Sequence, residues 1–331
     1  MSDNLNNKFT KNAEKLPWIE KYRPKTLTDI LDHKEKIDTL RNLIKRHELP
    51  HLLFYGPPGS GKTSTVLALA REIYGEANYR NYILEINASG DRGIDTVRTN
   101  IVNFVKSRSD QIKFVILDEA DAMTSDAQRA LHNIIEKSSK QARFCLICNN
   151  VNKILEAVKS RCVKMRFGVI SSDEIKKKVQ TIVQLEHIQI TDESIDVLIN
   201  LEKDFRQILN ILQGLYYLYQ DKMITENDVY SYLGKPNTEC VNTVINTLFN
   251  SSFDEGCKLL LDMYRSNSWN IDDLLNMLLN KILKININIK NKYLLIEKLA
   301  EIEFRIRMGR DSETQLIYLV SCFQLVRRGT N

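Results

Sequence analysis

The chain of 331 residues is long enough for two or three domains, and 43% hydrophobic with 27% charged residues is ordinary globular composition, which excludes fibrous repeats and wholesale disorder. A formal net charge of +5 is too modest to argue nucleic-acid binding by itself, so such a reading needs a local cluster. No stretch approaches the roughly 18 to 20 apolar residues of a membrane span, and the polar N-terminus lacks a signal-peptide core, so an intracellular chain with no membrane partner is expected.

Residues 1–15 are rich in Asn and Lys and read as a disordered tail. From Leu16 the pattern becomes an α/β alternation. Strands are expected at about 51–55, 82–87, 113–118, 143–148 and 162–167, with helical stretches near 61–73, 93–107, 125–137 and 152–158. That alternation implies a parallel sheet with helices on both faces, spanning 16–168.

Two runs within it carry chemistry. Gly56-Pro57-Pro58-Gly59-Ser60-Gly61-Lys62-Thr63 satisfies the G-x-x-x-x-G-K-[ST] phosphate loop, fed by apolar His51 to Tyr55 and followed by a helix. The glycines let backbone N–H groups wrap phosphates, Lys62 reaches the outer phosphates, and the Thr63 hydroxyl helps hold magnesium. Nucleotide-contacting residues are therefore expected from Gly56 through Thr63 and at Ser64, with the dipole of the following helix adding to the anion site. The second run, Phe114 to Asp121, is an apolar strand ending in carboxylates. Asp118 would join the magnesium shell, while Glu119 would orient and polarise water, which separates ATP hydrolysis from binding alone. Its letters Asp118-Glu119-Ala120-Asp121 invite a helicase reading, but the Ser-Ala-Thr and downstream arginine motifs of those helicases are missing.

The six cysteines show no paired framework, so disulfides are not expected. Cys145 and Cys148 have half a zinc-site spacing, but strand alternation sends them to opposite faces. After Gly168 no strand-like run recurs. Ser172 to Val183, Thr191 to Leu201 and Asp204 to Gln220 read as short amphipathic helices, a small helical domain over 169–234. The Gly234-Lys235-Pro236 break opens a third, helical region, 235–331. Within it Ile285 to Lys290 alternates like a strand, a pattern equally open to a helix or loop biased in Asn and Ile.

Together these motifs resemble a small subunit of replication factor C, the eukaryotic sliding-clamp loader of the AAA+ class. The resemblance rests on Trp18-Ile19-Glu20-Lys21-Tyr22-Arg23-Pro24, on Asn87 to Ile94, and on Ser160-Arg161-Cys162, the last specific to clamp loaders. Phe144 to Asn149, Met165 to Gly168, Ile302 to Arg305 and Phe323-Gln324 look most like the subunit type numbered fifth in humans and third in budding yeast.

The resemblance implies an AAA+ core, a helical lid and a C-terminal all-α collar. It implies that Arg161 acts in trans on the γ-phosphate held by a neighbouring subunit, Asn149 is a phosphate sensor, and Arg206 reaches from the lid onto the phosphates. Arg23 would lie near the phosphates, with Trp18, Tyr22 and Pro24 over the adenine; an aromatic staple onto the sheet is the rival use of Trp18. Arg92, Arg98, Lys106 and Arg108, on a helix opening at Gly93, would meet the DNA backbone, against a rival reading as a solvated face broken by Asp95 and Asp110. Ile101 and Phe104 are candidate clamp contacts, with core packing the stronger reading. The pattern departs from the family at Gly90, Lys203 and Gln207, which replace an acidic residue, a glycine and an arginine.

The expected function is thus an ATPase subunit of a hetero-pentameric, nuclear clamp loader. Its cofactors would be ATP and Mg2+, and its partners four other subunits, the sliding clamp and primer-template DNA. The alternatives are a scaffold subunit that binds ATP without turnover, or another AAA+ DNA motor such as a branch-migration helicase.

Overall fold

The computed structural model describes residues 16–90, 94–267 and 269–328, the side chains of 94–98 and Arg328 excepted. Five strands form one sheet: β1 (Leu52–Tyr55), β2 (Ile83–Asn87), β3 (Lys113–Asp118), β4 (Ala142–Cys148) and β5 (Val163–Arg166). Their order is β2-β3-β4-β1-β5 and every pairing is parallel, with Leu53 opposite both Leu146 and Lys164. All five strand expectations hold to within about one residue at each end, inside the usual scatter of element boundaries.

The helices, in chain order, are α1 (Trp18–Lys21), α2 (Lys34–Lys45), α3 (Lys62–Tyr74), α4 (Tyr79–Tyr82), α5 (Ile94–Lys106), α6 (Ser125–Ser138), α7 (Glu156–Lys159), α8 (Ser172–Leu185), α9 (Asp192–Leu201) and α10 (Phe205–Tyr219). There follow α11 (Glu226–Leu233), α12 (Thr238–Asn250), α13 (Phe253–Asn267), α14 (Ile271–Lys284), α15 (Ile289–Arg307) and α16 (Ser312–Arg328). The sequence reading passed over α1, α2, α4 and α11.

Strand alternation sorts the sheet's apolar residues onto two faces. Leu52, Phe54, Phe114, Ile116, Cys145 and Ile147 pack with Ile37 and Leu40 of α2 and Val66 and Leu69 of α3. Leu53, Val115, Leu117, Phe144, Leu146 and Cys148 pack on the other face with Ile101 and Val105 of α5 and Leu131 and Ile135 of α6. Cys145 and Cys148 therefore point apart, and all six cysteines are free. Covering both faces is the rule for a parallel sheet, because each crossover helix must bury its own apolar stripe. Each fully buried Leu or Phe contributes about 1.5–3 kcal/mol of transfer free energy.

Three local expectations are corrected. The stretch near 152–158 divides into a single 3-10 turn, Val151–Lys153, and the short α7, because Ile154 and Leu155 are extended. Helix α5 ends at Lys106, so Arg108 lies beyond it; Lys113 donates to the carbonyls of Phe104 and Ser107, capping the helix there. Ile285 to Asn288 form no strand: Ile285 closes α14, and the Asn288 side chain caps α15 by accepting from Lys290 N at 2.9 Å.

The chain divides into two compact units, one comprising residues up to Ile188 with Leu198–Gln220, the other Gln189–Val197 with 221–331. The first holds the sheet, α8 and α10. The second is built on α12 to α16, whose apolar stripes meet in a core that includes Val244, Leu248, Leu274, Leu278, Leu299, Leu319 and Phe323. No helix among the described residues is long and apolar enough to cross a membrane.

Candidate functional site

The crevice lies at the carboxyl ends of the parallel strands, where such sheets bind ligands. Chain leaving β1 turns at Gly56, whose φ is +148°; a Cβ there would sit 1.9 Å from the carbonyl oxygen of Phe167, so only glycine fits. Gly59, at φ +70°, is crowded from the other side, with an ideal Cβ position 2.1 Å from Asp204 Oδ1. Between them Ser60 Oγ donates to the Pro57 carbonyl at 2.8 Å, and Gly61 caps the start of α3. The loop thus presents main-chain N–H groups and a helix N-terminus to one point.

Lys62 is buried at 7% exposure and donates to Gly56 O at 2.9 Å, Pro57 O at 2.7 Å and Asn149 Oδ1 at 3.0 Å. Burial holds its pKa below the usual lysine value, against the opposing pull of the Asp118 carboxylate. An ammonium so placed gains from an incoming anion, since charge neutralisation removes the cost of its burial. Thr63 Oγ1 donates to Asp118 Oδ2 at 2.7 Å, joining the loop to the end of β3. A hydroxyl and a carboxylate in contact are the hard oxygen pair that magnesium takes alongside nucleotide phosphates. The other Asp118 oxygen accepts from Glu119 N at 2.8 Å. Glu119 adopts a left-handed φ of 53° where β3 passes into the 3-10 turn Ala120–Ala122, and its side chain lines the cleft.

The cleft has a volume of about 450 Å³, in the range of small-molecule sites. It is lined by Pro58 to Ser64, Asp118, Glu119 and Asn149, by Ile19 to Pro24 excepting Lys21, by Ile30 and Leu31, and by Ile170, Phe205, Arg206 and Leu209. Besides the polar phosphate loop, its wall carries the apolar Ile19, Ile30, Ile170 and Leu209 with Tyr22, together with the charged Asp29 and Lys178, a mixture that suits a nucleotide's base and phosphates. Arg23 lines the cleft and pairs with Glu20 at 3.3 Å. Arg206 lines it too, and its charge is near enough to Lys62 to depress that amine's pKa.

Helix α10 starts regularly despite Lys203. The Asp204 side chain caps it by accepting from Arg206 N at 2.9 Å, which supplies the stop that a preceding glycine would have marked. Trp18 is corrected on both readings: it lines no part of the cleft and does not staple onto the sheet. Trp18 is 4% exposed, its ring packs 5.5 Å from that of Tyr216 on α10, and its main-chain N–H donates to Gln213 Oε1 at 3.0 Å.

Arg161 stands apart from the cleft. Its guanidinium donates to Glu136 Oε1 at 3.2 Å and to the Ala157 carbonyl at 3.3 Å. Of the candidate DNA-contacting residues, Lys106 and Arg108 are exposed, Arg92 lies outside the described residues, and the Arg98 side chain does too. Ile101 is core, and Phe104 packs beside it with Lys113 over its ring at 5.0 Å.

Three residues were missed by sequence reading. Asp121 accepts from Asn150 N at 2.9 Å and so fixes the turn that presents Asn149. Gln128, buried at 3% exposure, bonds Met123 O, Lys153 O and Leu155 N. Its place three residues before Leu131 and seven before Ile135, on the apolar side of α6, was the available signal. Glu186, just past α8, accepts from Lys21 Nζ at 2.5 Å and from the Tyr22 hydroxyl, and nothing local marked it.

Three family descriptions match: the ATPase family associated with various cellular activities over residues 52–169, the Rad17 P-loop domain over 10–92, and the replication factor C C-terminal domain over 236–322. A probable replication factor C subunit 5 of Dictyostelium discoideum is 39% identical, covering 96% of this chain and 93% of the relative. Replication factor C subunit 5 of Mus musculus is 38% identical, covering 95% and 94%, and subunit 3 of Oryza sativa is 41% identical, covering 93% and 86%. This chain belongs to the replication factor C family. As a replication factor C subunit with an AAA+ fold, it is an ATPase of the clamp-loader class. Among solved structures, an arginine-to-alanine variant of Thermotoga maritima RuvB superimposes with a TM-score of 0.52 at 15% identity, covering 72% of this chain and 85% of that one. A lysine-to-arginine variant of the same protein gives 0.53. At that identity the likeness speaks for the shared fold alone, so the branch-migration reading gains nothing from it.

Proposed function

We propose that this replication factor C subunit binds Mg-ATP in the cleft above β1 and hydrolyses it with help from a neighbouring subunit, within a nuclear hetero-pentamer that loads a sliding clamp onto primer-template DNA. The observation that carries the reading is the Thr63–Asp118 contact at 2.7 Å beside buried Lys62, because it assembles the metal-holding pair and the phosphate-binding amine from segments distant in sequence. Magnesium would be held by Thr63 and Asp118, supplying charge neutralisation between the outer phosphates. Gly56 to Ser64 cradle the phosphates, Lys62, Asn149, Arg206 and Arg23 meet their charge, and Glu119 orients the attacking water.

Arg161 supports a role in trans by its position: it is held by Glu136, outside its own chain's cleft, where it is offered to another chain. A planar guanidinium there stabilises the charge spreading over a transferred phosphoryl group. In this reading 16–168 is the nucleotide core, 169–234 the lid and 235–331 the collar that joins the other four subunits. Lys106 and Arg108, with Arg92 and Arg98, would contact DNA phosphates rather than bases.

The test is steady-state ATPase of the reconstituted complex, with and without clamp and primed DNA. Joint stimulation should fall with Lys62→Ala and with Arg161→Ala. The Arg161 variant should keep its own ATP affinity while the neighbour's turnover drops about ten- to a thousandfold. Loss of ATP binding by the isolated Arg161→Ala chain would refute the trans role. Turnover indifferent to clamp, DNA and both substitutions would refute the catalytic one and favour a scaffold subunit.

A further inference from the structure

The strap formed by residues 19–24 contributes Ile19, Glu20, Tyr22, Arg23 and Pro24 to the wall of the cleft. At its far end the strap is held to α3, where Arg71 Nη1 donates to the Pro24 carbonyl at 3.4 Å; its near end is held by α8 and α10. Trp18, immediately before it, is buried against Tyr216 of α10, with its main-chain N–H on the Gln213 side chain. Lys21 and Tyr22 then converge on one carboxylate oxygen, Glu186 Oε1, directly after α8. Lys21 Nζ also lies 5.5 Å from the Tyr22 ring centroid, so the cation, the aromatic ring and the carboxylate form one closed cluster. The Glu186 side chain is 14% exposed, which leaves little water to replace either bond. Burial, and then the bond to Glu186, raise the Tyr22 pKa, so the phenol stays protonated and remains a donor.

We infer that Glu186 is a positioning residue for nucleotide binding: it ties the strap to α8, and through Tyr22 it holds one wall of the cleft where ATP needs it. This inference rests on the reading of the cleft as a Mg-ATP site and adds a residue to it. Glu186 does not line the cleft, so its removal acts only through the strap. Losing it leaves the Tyr22 hydroxyl and the Lys21 ammonium half-buried without their acceptor, and the wall they carry loses its preferred position. A wall that must be ordered at the moment of binding weakens the ground state and the transition state alike, which appears in KM and not in kcat.

The experiment uses the full chain carrying Trp269→Phe, so that Trp18 is its single indole, since the chain has two tryptophans. Mg-ATP is titrated into this parent and into its Glu186→Ala, Glu186→Gln and Tyr22→Phe derivatives, with Lys62→Ala as the control that disables the phosphate loop. Glu186→Ala should weaken Mg-ATP about five- to thirtyfold and shift Trp18 emission to the red before nucleotide is added. Glu186→Gln, which keeps an acceptor for Tyr22 but loses the ion pair, and Tyr22→Phe should each give a smaller change in the same direction. In the reconstituted complex KM for ATP should rise with kcat within about twofold. Unchanged affinity in Glu186→Ala would overturn the inference, whether or not the Trp18 emission moved, as would a fall in kcat without a rise in KM. Should Glu186→Ala fail to fold, the Glu186→Gln and Tyr22→Phe chains decide by the same readouts. A parent that binds no Mg-ATP, and so matches Lys62→Ala, would instead sink the reading of the cleft and this inference with it.

Discussion

In the sheet-bearing unit the buried polar side chains are His33, Ser60, Lys62, Thr65, Lys113 and Gln128; Ser60, Lys62 and Thr65 belong to the phosphate loop and the start of α3, while Lys113 sits at the opposite end of β3, on the last turn of α5. The helical unit buries Ser194 and Gln315 among the described residues and otherwise fills its core with Leu, Ile, Val, Phe and Trp. The first unit accepts the desolvation cost of polar groups and offsets it with partners, as Lys62 does with three acceptors and Gln128 with three main-chain groups. The second carries less of that expense, with Ser194 Oγ donating to Ile224 O at 3.2 Å and Gln315 Oε1 buried without a partner. It also leaves apolar groups outside: Ile289, Tyr293, Phe304 and Met308, the last just past α15, are each more than half exposed and fall on one side of that helix by helical spacing. Binding chemistry demands interior polarity at the phosphate loop. Large apolar groups are exposed in both units, Val169, Leu185, Tyr217 and Leu218 of the first being more than half exposed as well, and we propose that the face of α15 serves assembly.

The largest test of this contrast is Phe323→Ala. Phe323 is fully buried and meets Phe249 edge-on at 5.0 Å, so truncation should destabilise the helical unit by about 3–5 kcal/mol in urea unfolding. ATP affinity should remain where it was, because the sheet-bearing unit has its own core. Next is Gln128→Leu, nearly the same size but without the amide. It strands the carbonyls of Met123 and Lys153 and the N–H of Leu155, and should cost about 2–3 kcal/mol by thermal or urea denaturation. Were the apolar replacement neutral, the polar interior would not depend on pairing as described.

Smaller and pH-dependent is the share of His51, whose Nδ1 accepts from Phe144 N at 3.2 Å. Burial, and then the Arg143 charge, lower its pKa from 6.5 to about 4 in the folded chain. The unfolded chain therefore binds the proton more readily, so the stabilising share is full above pH 6.5 and disappears as pH falls towards about 4. Since His51 is only partly buried, we expect a loss on the order of 1–2 kcal/mol across that window, flattened in His51→Gln, measured as urea midpoints against pH. The smallest effect on the chain itself belongs to Phe304→Ser. That residue is 61% exposed, so stability should move by no more than about 0.5 kcal/mol, while recovery of the assembled complex by co-purification should fall. Full recovery would separate the exposed face of α15 from assembly.

The elements that were legible in the sequence share one property: each is encoded within a few residues. The five strands read as apolar runs because a parallel sheet buries both faces, and the phosphate loop read as a glycine pattern because its backbone needs conformations that side chains forbid. Short or mixed elements did not read so well. Helix α7 is a single turn, too brief for periodicity, and α5 stops at Lys106 because Lys113, from the next strand, takes up its last carbonyls. The alternation of Ile285 to Asn288 mimicked a strand while serving only as the link between α14 and α15.

What the sequence determined by itself was the local chemistry: a loop that must bind phosphate, a strand that must end in carboxylates, helices with one apolar side. Tertiary structure decided which of these groups meet. Thr63 reaches Asp118 across 55 residues, Lys62 reaches Asn149 across 87, Lys21 reaches Glu186 across 165 and Trp18 reaches Gln213 across 195. Such pairings are set by the order of strands in the sheet and by how α8 and α10 meet the strap and the phosphate loop. Hydrogen bonds act over about 3 Å, a range at which no periodicity along the chain specifies a partner so many residues away.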